Sequence, residues 1–172
     1  MAQEKPVVWG VLGASHFALM AAIPAMQQAP LVDLRALASR SLDKAKQAAA
    51  AVNVARAYGS YEELVNDPEI EAIYNPLPNN LHVPWSIKAA RAGKHVLCEK
   101  PIAMNAAEAE ELAQVQRETG KLISEAFMIR YHPQWELVTT LIANGRIGKV
   151  RAVQTAFSYN NRDLDNIRNQ KQ

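Results

Sequence analysis

Cysteine is nearly absent. Cys98 stands alone in 172 residues, which excludes an internal disulfide framework and a cysteine-built zinc site and fits a reducing compartment. Aromatic residues are scarce, at 6% of the chain. No run approaches the roughly 18 consecutive apolar residues that a membrane span needs. No block of five or more like charges occurs, and 19 Lys+Arg against 17 Asp+Glu leave a net charge of +2, too balanced for an electrostatic nucleic-acid surface. His16, His82, His95 and His132 lack metal-ligand spacing and no carboxylate cluster joins them, so no metal is expected. The first residues carry neither a basic segment nor a long apolar core. The chain therefore reads as a soluble, cytoplasmic protein, with no nucleic acid and no membrane among its partners.

At 49% hydrophobic and 21% charged, the composition is that of a globular protein, and the length suits one domain plus the start of another. Short β-branched runs alternate with helical stretches. The spacing predicts strands at 7–12, 32–38, 57–58, 70–75, 95–98 and 122–127. Helices are predicted at 15–28, 41–52, from Ser60, at 84–92 and from Asn105 to about 119. Ser41 is a candidate N-cap, Ser60-Tyr61-Glu62-Glu63 reads as a capping box, and Gly93 and Gly120 are helix stops. Pro24 should break or kink the first helix. Repeated strand–helix units predict an α/β, doubly wound, Rossmann-like parallel sheet. The rhythm changes after Phe127, with a helix at 133–144, a turn at 145–148 and a longer strand at 150–159. That stretch is expected to begin a C-terminal α+β domain.

Four loops are candidate ligand contacts, because ligands of such sheets bind beyond the carboxyl ends of the strands. The first strand runs into Gly13-Ala14-Ser15-His16-Phe17-Ala18, where Gly13, Ser15 and Ala18 occupy the places of a G-x-G-x-x-G/A dinucleotide turn. Such a turn presents backbone N–H groups and a helix N-terminus to a pyrophosphate. The second strand ends in Ala38-Ser39-Arg40-Ser41, without the carboxylate that takes the ribose 2′-OH of NAD. Ser39 and Arg40 instead suit a 2′-phosphate. The third and fourth are Tyr74-Asn75-Pro76-Leu77-Pro78-Asn79-Asn80-Leu81-His82 and Cys98-Glu99-Lys100-Pro101, in the latter of which a strand-end lysine backed by Glu99 is a candidate electrophile toward a substrate oxygen.

These segments, together with Ala92-Gly93-Lys94-His95-Val96-Leu97, Glu125-Ala126-Phe127-Met128-Ile129-Arg130-Tyr131-His132-Pro133 and Gly145-Arg146-Ile147-Gly148, resemble the Gfo/Idh/MocA oxidoreductases. The likeness follows the family's order over nearly the whole chain and is greatest to the branch of dihydrodiol and NADP-dependent xylose dehydrogenases. It implies an NAD(P)-binding Rossmann domain at 1–125 and, at 126–172, the start of a truncated substrate and oligomerisation domain, through which a homo-oligomer would form. It implies NADP as cofactor, with NAD as the alternative, and a sugar or diol substrate. Cofactor contacts fall on Gly13, Ala14, Ser15, His16, Phe17, Ser39, Arg40, Pro76, Pro78, Asn79, His82, Glu99 and Lys100, with Lys100 catalytic. Ser15 departs from the family's middle glycine. The proton-transfer partner of the lysine lies in a later segment of such proteins. A rival expectation is a dinucleotide-binding module or sensor without turnover.

Overall fold

The computed structural model describes residues 5–158, 160 and 162. The chain forms two compact units, one ending at Phe127 and the other beginning at Met128.

The first unit is built on a six-stranded sheet in the order β3-β2-β1-β4-β5-β6, every pairing parallel. Its strands are β1 (Val7–Leu12), β2 (Val32–Ala38), β3 (Arg56–Tyr58), β4 (Ala72–Asn75), β5 (His95–Glu99) and β6 (Ile123–Ala126). The helices are α1 (Ile23–Gln28), α2 (Leu42–Ala51), α3 (Tyr61–Asn66), α4 (Asn79–Arg91) and α5 (Ala106–Thr119). The period-2 alternation of strand side chains splits the core between the faces of the sheet. On one face Val8, Leu12, Ala36, Ile73, Val96 and Cys98 pack with Leu64, Val65, Trp85 and Ala89 of α3 and α4. On the other, Val11, Leu37 and Tyr74 pack with Ala18, Ile23 and the small side chains Ala45, Ala48 and Ala49 of α2. Helices on both faces are what doubly wound sheets require. Gly10 makes one of these packings feasible, since a Cβ there would lie 2.7 Å from Leu64 Cδ2.

The caps follow from the local sequence. Ser60 Oγ accepts the Glu63 N–H at 3.1 Å, while Glu63 reaches back to the Gly59 N–H at 3.0 Å. Asn105 Oδ1 accepts the Glu108 N–H at 3.0 Å, and α5 ends at Gly120 with φ +65°. Three elements differ from expectation. The first helix contains a π-helical stretch, Ala18–Ala22, that ends two residues before Pro24. A widened turn is one way for a helix to absorb the N–H that proline lacks. The fourth helix starts at Asn79 instead of residue 84, with Pro84 inside it; the proline and Asn80, whose carbonyl it leaves unpaired in the helix, are both exposed residues. The β4 strand starts at Ala72, because the Ile70 N–H is taken by Asp67 O in a turn at 3.2 Å.

The second unit holds a 3-10 turn, Met128–Tyr131, and helix α6, Pro133–Ala143, whose N-cap His132 accepts the Gln134 N–H at Nδ1. The strand expected at 150–159 does not form in residues 150–158, and Tyr159 lies outside the described residues. Alternating apolar residues specify a strand only where a neighbouring strand supplies its ladder. None of the described residues of this unit does so, and Val153 and Phe157 are 78% and 91% exposed. Among the described residues no helix is long and apolar enough to cross a membrane.

Candidate cofactor and active site

Because every strand is parallel, the loops after β1, β2, β4 and β5 leave the same edge of the sheet. The strand order reverses between β1 and β4, which is where such sheets open a crevice.

The loop after β1 is held in register by the Gly13 N–H, which donates to Ala38 O at 2.8 Å. Gly13 has φ +82°, and a Cβ on it would meet Leu77 Cδ2 at 2.9 Å. The turn thus presses against the loop after β4, and only glycine fits both the backbone angle and the space. Ser15 Oγ accepts the Ala18 N–H at 3.1 Å, and Ser15 O accepts the Leu19 N–H at 3.0 Å. The serine at the middle-glycine position therefore caps the helical turn and keeps its own hydroxyl proton for another acceptor. Ala14 is half-buried beside it, and His16 and Phe17 are exposed on the first helical turn.

At the end of β2, the Ser39 N–H donates to Tyr58 O at 3.1 Å. Arg40 is exposed, and among the described residues it has no ion-pair partner. The nearest acidic residue on that strand, Asp33, sits at its other end, bound to Arg35.

The loop after β4 is organised from below. Asn75 is fully buried. Its Nδ2 donates to His82 O at 3.1 Å and to Ser86 Oγ at 3.2 Å, and its Oδ1 accepts the Leu77 N–H at 3.3 Å. His82 was expected to offer a polar contact to a ligand. Its ring is instead 1% exposed, with Nδ1 2.7 Å from Pro101 O and Nε2 2.7 Å from Leu77 O. Both nitrogens are spent on backbone, so His82 serves the loop and not a ligand directly. Pro76 is buried, while Pro78 and Asn79 are exposed at the start of α4.

After β5, Glu99 Oε1 accepts the Tyr74 hydroxyl at 2.8 Å, and Oε2 accepts the Lys100 N–H at 3.3 Å. Burial, reinforced by Glu99, pushes the Tyr74 phenol far above its ordinary value, so it remains a neutral donor that fixes the carboxylate. Lys100 itself is exposed and precedes Pro101 through a cis peptide bond. The Ile102 N–H beyond it donates to Glu125 Oε1 of β6 at 3.0 Å. Cys98 is fully buried, and burial pushes its thiol up to about 12, which removes it as a nucleophile.

The sheet thus brings together Gly13–Ser15, Ser39–Arg40, Pro76–Asn79 and Glu99–Lys100 along one edge. Sequence reasoning placed Tyr74 and Asn75 in the loop after the fourth strand without giving them a role, and it missed Ser86; these residues hold the loops. A polar residue closing an otherwise apolar strand, Ile73-Tyr74-Asn75, is the signal that marks Asn75. Among the described residues no group of His, Cys, Asp or Glu is arranged to hold a metal ion.

Residues 7–127 match the model of the Gfo/Idh/MocA oxidoreductase family, NAD-binding Rossmann fold, and the chain belongs to that family. It is 48% identical over 163 residues to an uncharacterized oxidoreductase of Rhizobium meliloti, covering 95% of this chain and 49% of that one. It is 39% identical over 163 residues to the D-xylose 1-dehydrogenase (NADP(+)) 2 of Haloferax volcanii, covering 94% and 50%. Among solved structures, a 3-ketoreductase from Actinomadura kijaniata, in complex with TDP-benzene and NADP, superposes with a TM-score of 0.78 at 39% identity, covering 86% of this chain and 46% of that one. The chain spans about half the length of the curated relatives it matches.

Proposed function

We propose that this chain provides the cofactor-binding half and the catalytic lysine of an NADP-dependent oxidoreductase acting on a carbon that bears a hydroxyl or carbonyl group in a sugar or diol. Bound NADP supplies the hydride chemistry. The observation that carries the cofactor choice is the end of β2, where an exposed, unpaired Arg40 beside Ser39 occupies the place of the NAD-type carboxylate. The residues fit a dinucleotide at the other end of the turn as well. Gly13, at a positive φ and packed against Leu77, sets the turn, and the N–H groups after it stand at a helix N-terminus that favours anionic oxygens.

Lys100 is the residue we assign to the reacting oxygen. Its ammonium is free to stabilise developing negative charge or to pass a proton, while Glu99 and Tyr74 hold the backbone beneath it. Residues 126–172 then begin the substrate and oligomerisation domain. The xylose dehydrogenase named above supports a sugar-type substrate.

Fluorescence titration of NADPH and NADH tests the cofactor reading. A charge-assisted contact to the 2′-phosphate is worth about 1.5–3 kcal/mol, or roughly ten- to a hundredfold in favour of NADPH, and Arg40→Ala should erase that margin. Equal affinities for the two nucleotides would remove the reading. In an active protein carrying this segment, Lys100→Met should leave NADPH affinity within a fewfold and lower turnover by about a hundredfold or more.

A further inference from the structure

We infer that His82 is a positioning residue for Lys100, a doubly protonated imidazole that bolts the loop after β4 to the segment after β5. Two carbonyl oxygens face its ring, Pro101 O at Nδ1 and Leu77 O at Nε2, each at 2.7 Å. A carbonyl oxygen can only accept. Either neutral tautomer would press a bare nitrogen lone pair against one of these oxygens, whereas a ring with two N–H groups satisfies both. The ring is 1% exposed, so water cannot relieve the mismatch. Its own carbonyl is held by Asn75 Nδ2, and Asn75 Oδ1 binds the Leu77 N–H. One buried unit therefore fixes Leu77 from both its N–H and its C=O and reaches across to the residue after Lys100.

Several titratable groups lie on the elements that meet here. Tyr74 of β4 is bound to Glu99 of β5, Glu125 of β6 to the Ile102 N–H, and Glu108 of α5 to Met104 N and its own cap. Cys98 is a buried thiol, and Lys100 is exposed. None of these side chains hydrogen-bonds the ring. Burial and the N-terminal turn of α4 both oppose a positive charge at His82, and two charge-assisted bonds to carbonyl oxygens work against them. His82 thus couples the two walls of the crevice. Leu77 touches the Gly13 turn, and Pro101 follows the lysine, so the position of Lys100 is set by the same loop that lines the cofactor turn.

The functional half of this inference rests on the assignment of Lys100 made above, and the test separates the two. Ring nitrogens of 15N-histidine-labelled chain are observed by long-range proton–nitrogen spectroscopy at neutral pH, with His82→Gln identifying the signal. Two protonated nitrogens with exchange-protected protons are expected for His82; one protonated and one bare nitrogen would overturn the inference whatever NADPH does. His82→Gln, which reaches only one carbonyl, should increase amide exchange at Lys100 and Ile102 while Val11 and Leu37 in the sheet stay protected. In an active protein carrying this segment, it should lower turnover by roughly a hundredfold with NADPH affinity within a fewfold. Unchanged turnover in this variant, where Lys100→Met abolishes it, would overturn the positioning role. Normal turnover in Lys100→Met would remove the proposed function and leave the protonation result standing on its own.

Discussion

Substituting Gly13 by alanine makes a demanding test of how tightly the crevice is built. The backbone there has φ +82°, and the new methyl would lie 2.9 Å from Leu77 Cδ2 and 3.6 Å from the Tyr61 hydroxyl. A left-handed conformation costs an L-residue roughly 1–2 kcal/mol. Leu77 is 6% exposed and cannot swing into solvent, so the overpacking adds about 1–3 kcal/mol. The sum, about 2–5 kcal/mol, corresponds to a fall in melting temperature of roughly 5–15 °C for a chain of this size. Thermal unfolding followed by circular dichroism measures it. A double-mutant cycle with Leu77→Val divides the sum, because valine has no Cδ2 and removes the collision but not the backbone cost. The pair should be less destabilised than the two single changes added together, by about 0.5–1 kcal/mol or more. NADPH affinity should drop alongside, since the displaced Leu77 carries the loop over the turn. A Gly13→Ala chain that melts within about 1 °C of the parent, or strict additivity with Leu77→Val, would refute the claim that the two loops are in forced contact.

The buried thiol offers a second check. Burial holds Cys98 protonated, up to about 12, so a disulfide reagent at pH 8 should find no reactive thiol in the native chain and one after unfolding in guanidinium. By linkage, a raised folded value adds stability below the ordinary thiol value of 9.0 and loses it as pH climbs through the range up to about 12. Asp67 gives the opposite sign. Burial alone would raise it, but the Glu69 N–H, the Tyr58 hydroxyl and Arg56 together hold it below its ordinary value. Its contribution is therefore present above the ordinary value of 3.8 and lost as pH falls through the lower folded value, and Asp67→Asn should flatten the acid limb of melting temperature against pH. Finally, Lys94 buries its ammonium against Asp67 O at 2.6 Å and Ile70 O at 2.8 Å. Lys94→Met should cost about 2–4 kcal/mol in urea unfolding by orphaning both carbonyls.

Local chemistry carried most of the first unit into view. Both 7–12 and 32–38 are strands at those bounds, the first a valine-rich run and the second an apolar–polar alternation that ends in Ala36-Leu37-Ala38. Ser60, Asn105 and Gly120 act as caps for the reasons that made them visible, each pairing with backbone a few residues away. The misreadings came where a partner distant in sequence decides. Pro84 looks like a helix start, yet an exposed proline is tolerated inside α4. The stretch at 150–159 has a strand's alternation, and no strand among the described residues pairs with residues 150–158. At the site, exposed ligand-type residues such as Arg40 and Lys100 could be singled out from their position after a strand. The support beneath them could not, since nothing local reveals that His82 faces two carbonyls or that Tyr74 closes on Glu99.

The order of the strands also sets a scale of length. Neighbouring strands of a sheet lie about 4.8 Å apart, and β2 is separated from β5 by β1 and β4. The Arg40 end and the Lys100 end of the crevice are therefore about 14 Å apart across the sheet by that spacing, a separation fixed by backbone hydrogen bonds and not by any side chain. A compact ligand can engage one end or the other. Only an extended molecule answers to both cations at once, so a substitution at Arg40 should be felt equally by an adenosine 2′-phosphate fragment and by the whole dinucleotide, while the fragment ignores Lys100 altogether.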